Sequence, residues 1–219
     1  MLECIFVETN VAPNASVIWM HGLGADGHDF EGIIPELNLP PHLGIRFIFP
    51  NAPVRPVTIA NCSMRAWYDI FHPYLGNEPD IAGILQMAKE IELLVDAEIA
   101  RGIASHRIVL AGFSQGGVLA LEVGPRYPKR LAGVMALSTY SPTASLLAKE
   151  ATVANAELPI FWGHGSTDMV VPEPLMRNAE MAFVQAKYPV EFHLYPGMAH
   201  SVCPAEISDL SQFLQRVFS

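Results

Sequence analysis

Arg107–Gly117 reads RIVLAGFSQGG. An apolar, β-rich run closes at Ala111. Gly112-Phe113-Ser114-Gln115-Gly116 follows, and then an amphipathic stretch, GVLALEVGPRYP. This is G-x-S-x-G with a strand before it and a helix after it. Such a strand-to-helix turn must be sharp if the serine is to stand exposed above the end of a sheet. Sharpness strains the serine backbone and leaves no room for a Cβ two residues before or after it, hence glycine at both places. A helix starting at Gln115 also aims free N–H groups at the same spot. The five-residue pattern alone would suit any Gly-rich turn. The flanking elements make Ser114 a candidate nucleophile.

A serine nucleophile needs a base, and the base needs an orienting carboxylate. On a sheet with this kind of turn the chain order is serine, acid, histidine. Three histidines follow Ser114: His164, His193 and His200. His193 lies inside a strand-like run, VEFHLY. His164, in WGHGSTD, precedes the best acid. His200 sits in YPGMAHSVCP, a turn-rich loop before the last helix, where a base can be mounted on a rigid frame. For the acid, Asp168 follows the strand-like PIFWG. Its rivals are Glu173 and Glu180, but Glu173 is explained by the start of a helix, where a carboxylate favours the dipole.

A second glycine-rich stretch, HGLGADG (His21–Gly27), follows the apolar SVIWM and satisfies G-x-G-x-x-G. A dinucleotide site would place a carboxylate about 20 positions on, at the end of the second strand. Here that strand, IRFIF, ends at Pro50-Asn51. The alternative is a loop whose amide N–H helps to hold an oxyanion, with the residue after the nucleophile supplying the other donor. That assigns the backbone N–H groups of Leu23 and Gln115. His21 is expected to brace the loop rather than move protons.

The short apolar runs CIFVE, SVIWM, IRFIF, RIVLA, LAGVMAL, PIFWG and VEFHLY are apolar at nearly every position, as strands buried on both faces of a mostly parallel sheet are. Helical periodicity appears after Asp80, a good N-cap, with Ile81, Ile84, Leu85, Ala88, Ile91 and Val95 on one face and an end near Gly102. Further helices are expected in PLMRNAEMAFVQAK after Pro174 and from Pro204 to Val217. A short helix is expected in HDFEGIIPEL, an ordered loop leaving a strand in PNAPVRP (Pro50–Pro56), and a longer surface loop in Phe71–Asp80. Alternating strand and helix gives a doubly wound α/β fold, expected as a single domain over residues 1–219.

The 219 residues are 51% hydrophobic, and 13 Lys and Arg against 22 Asp and Glu leave a net charge of −9. No basic cluster interrupts the acidic balance, which argues against nucleic-acid binding. Cys4, Cys62 and Cys203 are scattered, as in a reducing compartment. MLECIFVETN lacks the basic start and long apolar core of a signal peptide. No apolar run reaches the roughly 18 residues of a membrane span. A cytoplasmic location is therefore expected. Transient contact with a membrane surface would require an exposed apolar patch. His164, Asp168, His200 and Cys203 invite a zinc reading, but no H-E-x-x-H or C-x-x-C pair supports it, so no metal is expected.

The segments HGLGADGHDF, FIFPNAPVRPVT, MRAWYDI, AGFSQGG, LSTY, HGSTDMVVP and GMAHSVCPAEISD, in this order, resemble the acyl-protein thioesterases and related bacterial carboxylesterases. APVRPVT and AWYDI are far more specific than G-x-S-x-G. The resemblance implies a compact α/β-hydrolase with little or no lid. It implies Ser114, Asp168 and His200 as the triad and Leu23 and Gln115 as oxyanion donors, the same residues reached above. It also implies esters of fatty acids, lysophospholipids or S-acylated proteins as substrates, no cofactor, and, for bacterial members, a homodimer.

Trp67 and Asp69 of AWYDI look functional through the resemblance, although a core aromatic and a loop cap explain them as well. Trp67, Tyr74 and Leu75 are the expected substrate contacts, the last two from their place in the Phe71–Asp80 loop. Two other readings use the same features: a non-catalytic α/β-hydrolase relative binding a small apolar ligand, and a peptidase or lactone hydrolase on the same fold.

Overall fold

A computed structural model describes residues 2–9 and 12–219. Met1 and Asn10 of the amino-terminal stretch discussed above lie outside the described residues. The strands are β1 (Cys4–Glu8), β2 (Ala15–Met20), β3 (Ile45–Pro50), β4 (Val54–Val57), β5 (Cys62–Arg65), β6 (Ile108–Phe113), β7 (Gly133–Leu137), β8 (Ile160–Gly165) and β9 (Val190–Tyr195). The helices are α1 (Ile81–Ala100), α2 (Gln115–Arg126), α3 (Leu147–Glu150), α4 (Glu173–Gln185) and α5 (Pro204–Val217). Seven strands form one sheet in the order β1-β3-β2-β6-β7-β8-β9. Within this sheet, among the described residues, only β1 pairs antiparallel, against β3.

Both faces of the sheet are covered, which explains the unbroken apolar runs. Alternate residues of one strand enter different cores. Ile18 and Met20 of β2 belong to one core, shared with Ile84 and Ile91 of α1, Val118 and Leu119 of α2, and Met176 and Phe183 of α4. Val17 and Trp19 belong to the core of the other face, shared with Ile207, Leu210 and Phe213 of α5. α1 starts where the N-cap predicts: the Asp80 carboxylate accepts from the Gly83 N–H at 2.9 Å.

Two local expectations are corrected. HDFEGIIPEL holds two single 3₁₀ turns, Glu31–Ile33 and Pro35–Leu37, instead of a helix. Pro35 lacks the N–H that an α-helix would need there, and Gly32 is a poor helix former. PNAPVRP continues into the hairpin β4–β5, with Val54 facing Arg65 and Pro56 facing Ser63. A two-stranded ribbon leaves one edge of each strand free, so a proline costs no ladder bond there.

The topology decides where a site can form. From β2 the chain leaves to β3 on one side, and from β6 it leaves to β7 on the other. The carboxyl ends of β2 and β6 therefore open a crevice where the connections diverge. The two loops at that crevice are HGLGADG and GFSQG.

Candidate active site

Ser114 joins β6 directly to α2 with φ 53° and ψ −116°. A non-glycine residue held there stores about 1–3 kcal/mol of strain, so its surroundings must impose it. The Ser114 N–H donates to Leu137 O at 2.9 Å, and the Thr139 hydroxyl donates to Ser114 O at 2.7 Å. A Cβ on Gly112 would run into the Gly116 backbone, and one on Gly116 into the Met20 carbonyl. Both glycines of the motif are thus required by close backbone approach.

Asp168 lies in the loop after β8, 5% exposed. Its Oδ1 accepts from the Val170 and Val171 N–H groups, both at 2.8 Å. Its Oδ2 is 2.7 Å from Nδ1 of His200, in the loop between β9 and α5. Burial alone would raise the Asp168 pKa, but the His200 bond and the two backbone N–H bonds outweigh it and hold the carboxyl below its ordinary value. Since a carboxylate only accepts, the His200 proton sits on Nδ1. Nε2 of the neutral ring then carries the lone pair that a base needs.

Ser114 and His200 line one cavity of about 300 Å³ together with Leu23, Gln115, Ile70 and Val170. Among the described residues the Leu23 and Gln115 N–H groups donate no hydrogen bond. Three contacts brace the Leu23 loop. The Ala52 N–H donates to His21 Nε2 at 3.1 Å, so the proton of the neutral ring lies on Nδ1 and donates to Gly22 O at 2.7 Å. The Gly24 N–H donates to Arg65 O at 2.8 Å. Burial lowers the His21 pKa, in keeping with a neutral, bracing ring. The Gln115 side chain fixes the other donor by accepting from the Trp67 N–H at 3.1 Å and donating to Tyr68 O at 3.0 Å.

The remaining expected residues divide. Leu75 lines the cavity. The substrate contact expected of Trp67 is corrected: its side chain is fully buried outside the cavity lining, and its indole N–H donates to His21 O at 2.8 Å. It supports the loop instead. Tyr74 is 76% exposed, beside Leu75 but outside the lining itself. Asp69 caps its own loop, accepting from the Thr58 and Ile70 N–H groups. Among the rivals, Glu173 and Glu180 pair with Arg177 on α4. His193 stacks between Phe161 and Tyr195. His164 is wholly buried, its Nε2–H donating to Val171 O at 2.9 Å. Among the described residues, no group of three or more His, Cys, Asp or Glu could hold a metal ion.

Sequence reasoning passed over Tyr68, Ile70, Tyr140 and Val170 as cavity residues. Each stands in a segment already quoted for the resemblance, AWYDI, LSTY or HGSTDMVVP, so position in a distinctive segment was the available signal.

A family model described as Phospholipase/Carboxylesterase matches residues 2–218. The chain belongs to the phospholipase/carboxylesterase family. An acyl-protein thioesterase 1 from Mycosarcoma maydis is 37% identical over 227 residues, covering 95% of this chain and 93% of the relative. One from Schizosaccharomyces pombe is 36% identical, covering 99% and 96%. Among solved structures, Arabidopsis thaliana SOBER1 superposes with a TM-score of 0.87 at 31% identity, over 94% of this chain and 99% of that one. Zea mays acyl-protein thioesterase 2 superposes with a TM-score of 0.87 at 25% identity over all of both chains. This phospholipase/carboxylesterase member has the α/β-hydrolase fold, with a mostly parallel sheet between helical layers. No helix among the described residues is long and apolar enough to cross a membrane.

Proposed function

We propose that this carboxylic ester hydrolase cleaves esters or thioesters of acyl chains through an acyl-enzyme on Ser114, with His200 as base and Asp168 as its orienting carboxylate. One observation carries the reading: the Asp168–His200 bond of 2.7 Å leaves Nε2 free in a ring that shares a cavity wall with the strained Ser114. His200 takes the Ser114 proton as Oγ attacks the acyl carbonyl. The Leu23 and Gln115 N–H groups receive the oxyanion. Asp168 stabilises the imidazolium, which then protonates the departing alcohol or thiol. Water activated by the same imidazole releases the acid.

The cavity wall of Ile70, Leu75 and Val170 suits an acyl chain. Tyr74 and Met169, next in sequence to Leu75 and Val170, are exposed, so an apolar rim supports brief visits to a membrane surface carrying acyl substrates. The acyl-protein thioesterase relatives support S-acylated proteins as one substrate class.

Intact mass after fluorophosphonate treatment tests the assignment. Wild type should gain one adduct, Ser114→Ala none, and His200→Ala should react far more slowly. Ser114→Ala should also lower kcat on a p-nitrophenyl ester by about 10⁶. A fall of tenfold or less, or a folded wild type that takes no adduct, would leave ligand binding without turnover as the better reading.

A further inference from the structure

The reacting carbon fixes three directions, and two are assigned. The oxyanion faces the Leu23 and Gln115 N–H groups, and the acyl chain follows Ile70, Leu75 and Val170. The third belongs to the leaving atom, which must lie within reach of His200 because that ring protonates it. A second cavity, of about 520 Å³, shares His200, Phe113 and Asp29 with the first but does not include Ser114. The Phe113 and His200 rings, 4.7 Å apart, are part of the common wall. A group departing past His200 therefore enters the second cavity.

The lining of that cavity is half apolar, with Phe30, Ile33 and Ile207, and its carboxylate side chains are Asp29 and Glu36. No Lys or Arg among the described residues lines it. Asp29 is solvent-exposed and lines both cavities, so it stands at the boundary between the reacting bond and the group that leaves. Although the residue is exposed, desolvation by the cavity wall raises its pKa, and a cation arriving beside it would draw that value back down.

We propose that the second cavity is the leaving-group subsite and that Asp29 selects alcohols or thiols carrying an ammonium group over those carrying an anion. The inference rests on the acyl-enzyme reading above. The chemistry recognised is an alkylammonium a few atoms from the ester oxygen or thioester sulfur. A small headgroup or a basic peptide segment could supply it.

Three thioesters with one acyl chain test the idea: S-octanoyl thiocholine, S-octanoyl 2-mercaptoethanol and S-octanoyl 3-mercaptopropanoate, with thiol release followed by a disulfide dye. Wild type should show kcat/KM falling in that order, by about tenfold from cation to anion at low salt, and less at high salt because the subsite is open to solvent. In Asp29→Asn the cation-to-anion ratio should fall severalfold, toward the residual ratio that the acidities of the leaving thiols set, and in Glu36→Gln it should fall by less. Equal kcat/KM for the three in wild type overturns the proposal whether or not the variants fold. So does an unchanged ratio in folded Asp29→Asn. Failure to hydrolyse any of them would instead overturn the acyl-enzyme reading. S-octanoyl cysteine peptides flanked by lysines or by glutamates identify the source. A lysine preference points to a basic protein segment, and a preference seen only with thiocholine points to a small headgroup.

Discussion

Two carboxyl groups are buried near β8, and their pKa values are shifted in opposite directions. Asp168 is 5% exposed and Glu206, in the first turn of α5, is 0% exposed. Asp168 accepts three hydrogen bonds. Neither oxygen of Glu206 has a partner among the described residues, and one packs so closely on Gly163 that a Cβ there would collide with it. The donors hold the Asp168 pKa down despite burial. Burial pushes that of Glu206 up to about 8, with nearby Asp209 adding to the rise and the Cys203 backbone N–H opposing it without completing a hydrogen bond. Burial alone does not set the charge of an acid in this fold; the donors aimed at it do.

The largest test acts on the charged member. Asp168→Asn keeps an oxygen for the Val170 and Val171 N–H groups but loses the charge and the acceptor that fixes the Nδ1 proton of His200. The expected loss in kcat is about 10⁴, the size seen when a triad aspartate elsewhere becomes asparagine. Steady-state hydrolysis of a p-nitrophenyl ester, alongside a denaturation curve to confirm folding, reads it. A folded variant within tenfold of wild type would mean that Asp168 is structural. The same substitution should flatten the acid end of the stability curve. With its folded pKa lowered, Asp168 stabilises the protein above its unfolded value, and this stabilisation is lost as pH falls through the folded one.

The two acids were unequally legible. Asp168 could be singled out as a candidate because a serine triad imposes a chain order and a place, after a strand end and before the base, and because rivals such as Glu173 had local explanations. Glu206 carried a good local explanation of its own: an acid in the first turn of a helix that starts at Pro204. Its burial depends on α5 lying against β8, a contact between distant parts of the chain that no local pattern encodes. Trp67 failed in the same way, since a distinctive segment marked it as important without saying that it acts through the His21 carbonyl. The strands and long helices were legible because their period is local. The β4–β5 hairpin was not, because its short, proline-bearing strands carry too little alternation.

An intermediate effect should come from Glu206→Gln. A carboxyl whose folded pKa is raised gives its full stabilisation below the unfolded value, near 4.5, and loses it as pH rises through the folded value, about 8. Within that window the wild type should lose roughly 1.4 kcal/mol of unfolding free energy per pH unit from this group. Urea denaturation at a series of pH values should show this decline in wild type and its absence in Glu206→Gln, while activity near neutral pH changes little because Glu206 lines neither cavity. Parallel curves for the two proteins would show that Glu206 is ionised in the fold, and the contrast with Asp168 would fail.

The smallest effect separates the two causes that raise the Glu206 pKa. Asp209 contributes a nearby charge, and its carboxylate is itself engaged by the Tyr195 hydroxyl at 2.9 Å and lies 3.4 Å from His193 Nδ1. Asp209→Asn removes that charge and leaves the burial of Glu206 intact. If burial dominates, the upper end of the stability decline should move down by less than about one pH unit. A decline that ends near pH 5 in this variant would assign the neutral state to charge repulsion. Glu206 would then differ from Asp168 by its neighbour's charge rather than by the donors it lacks.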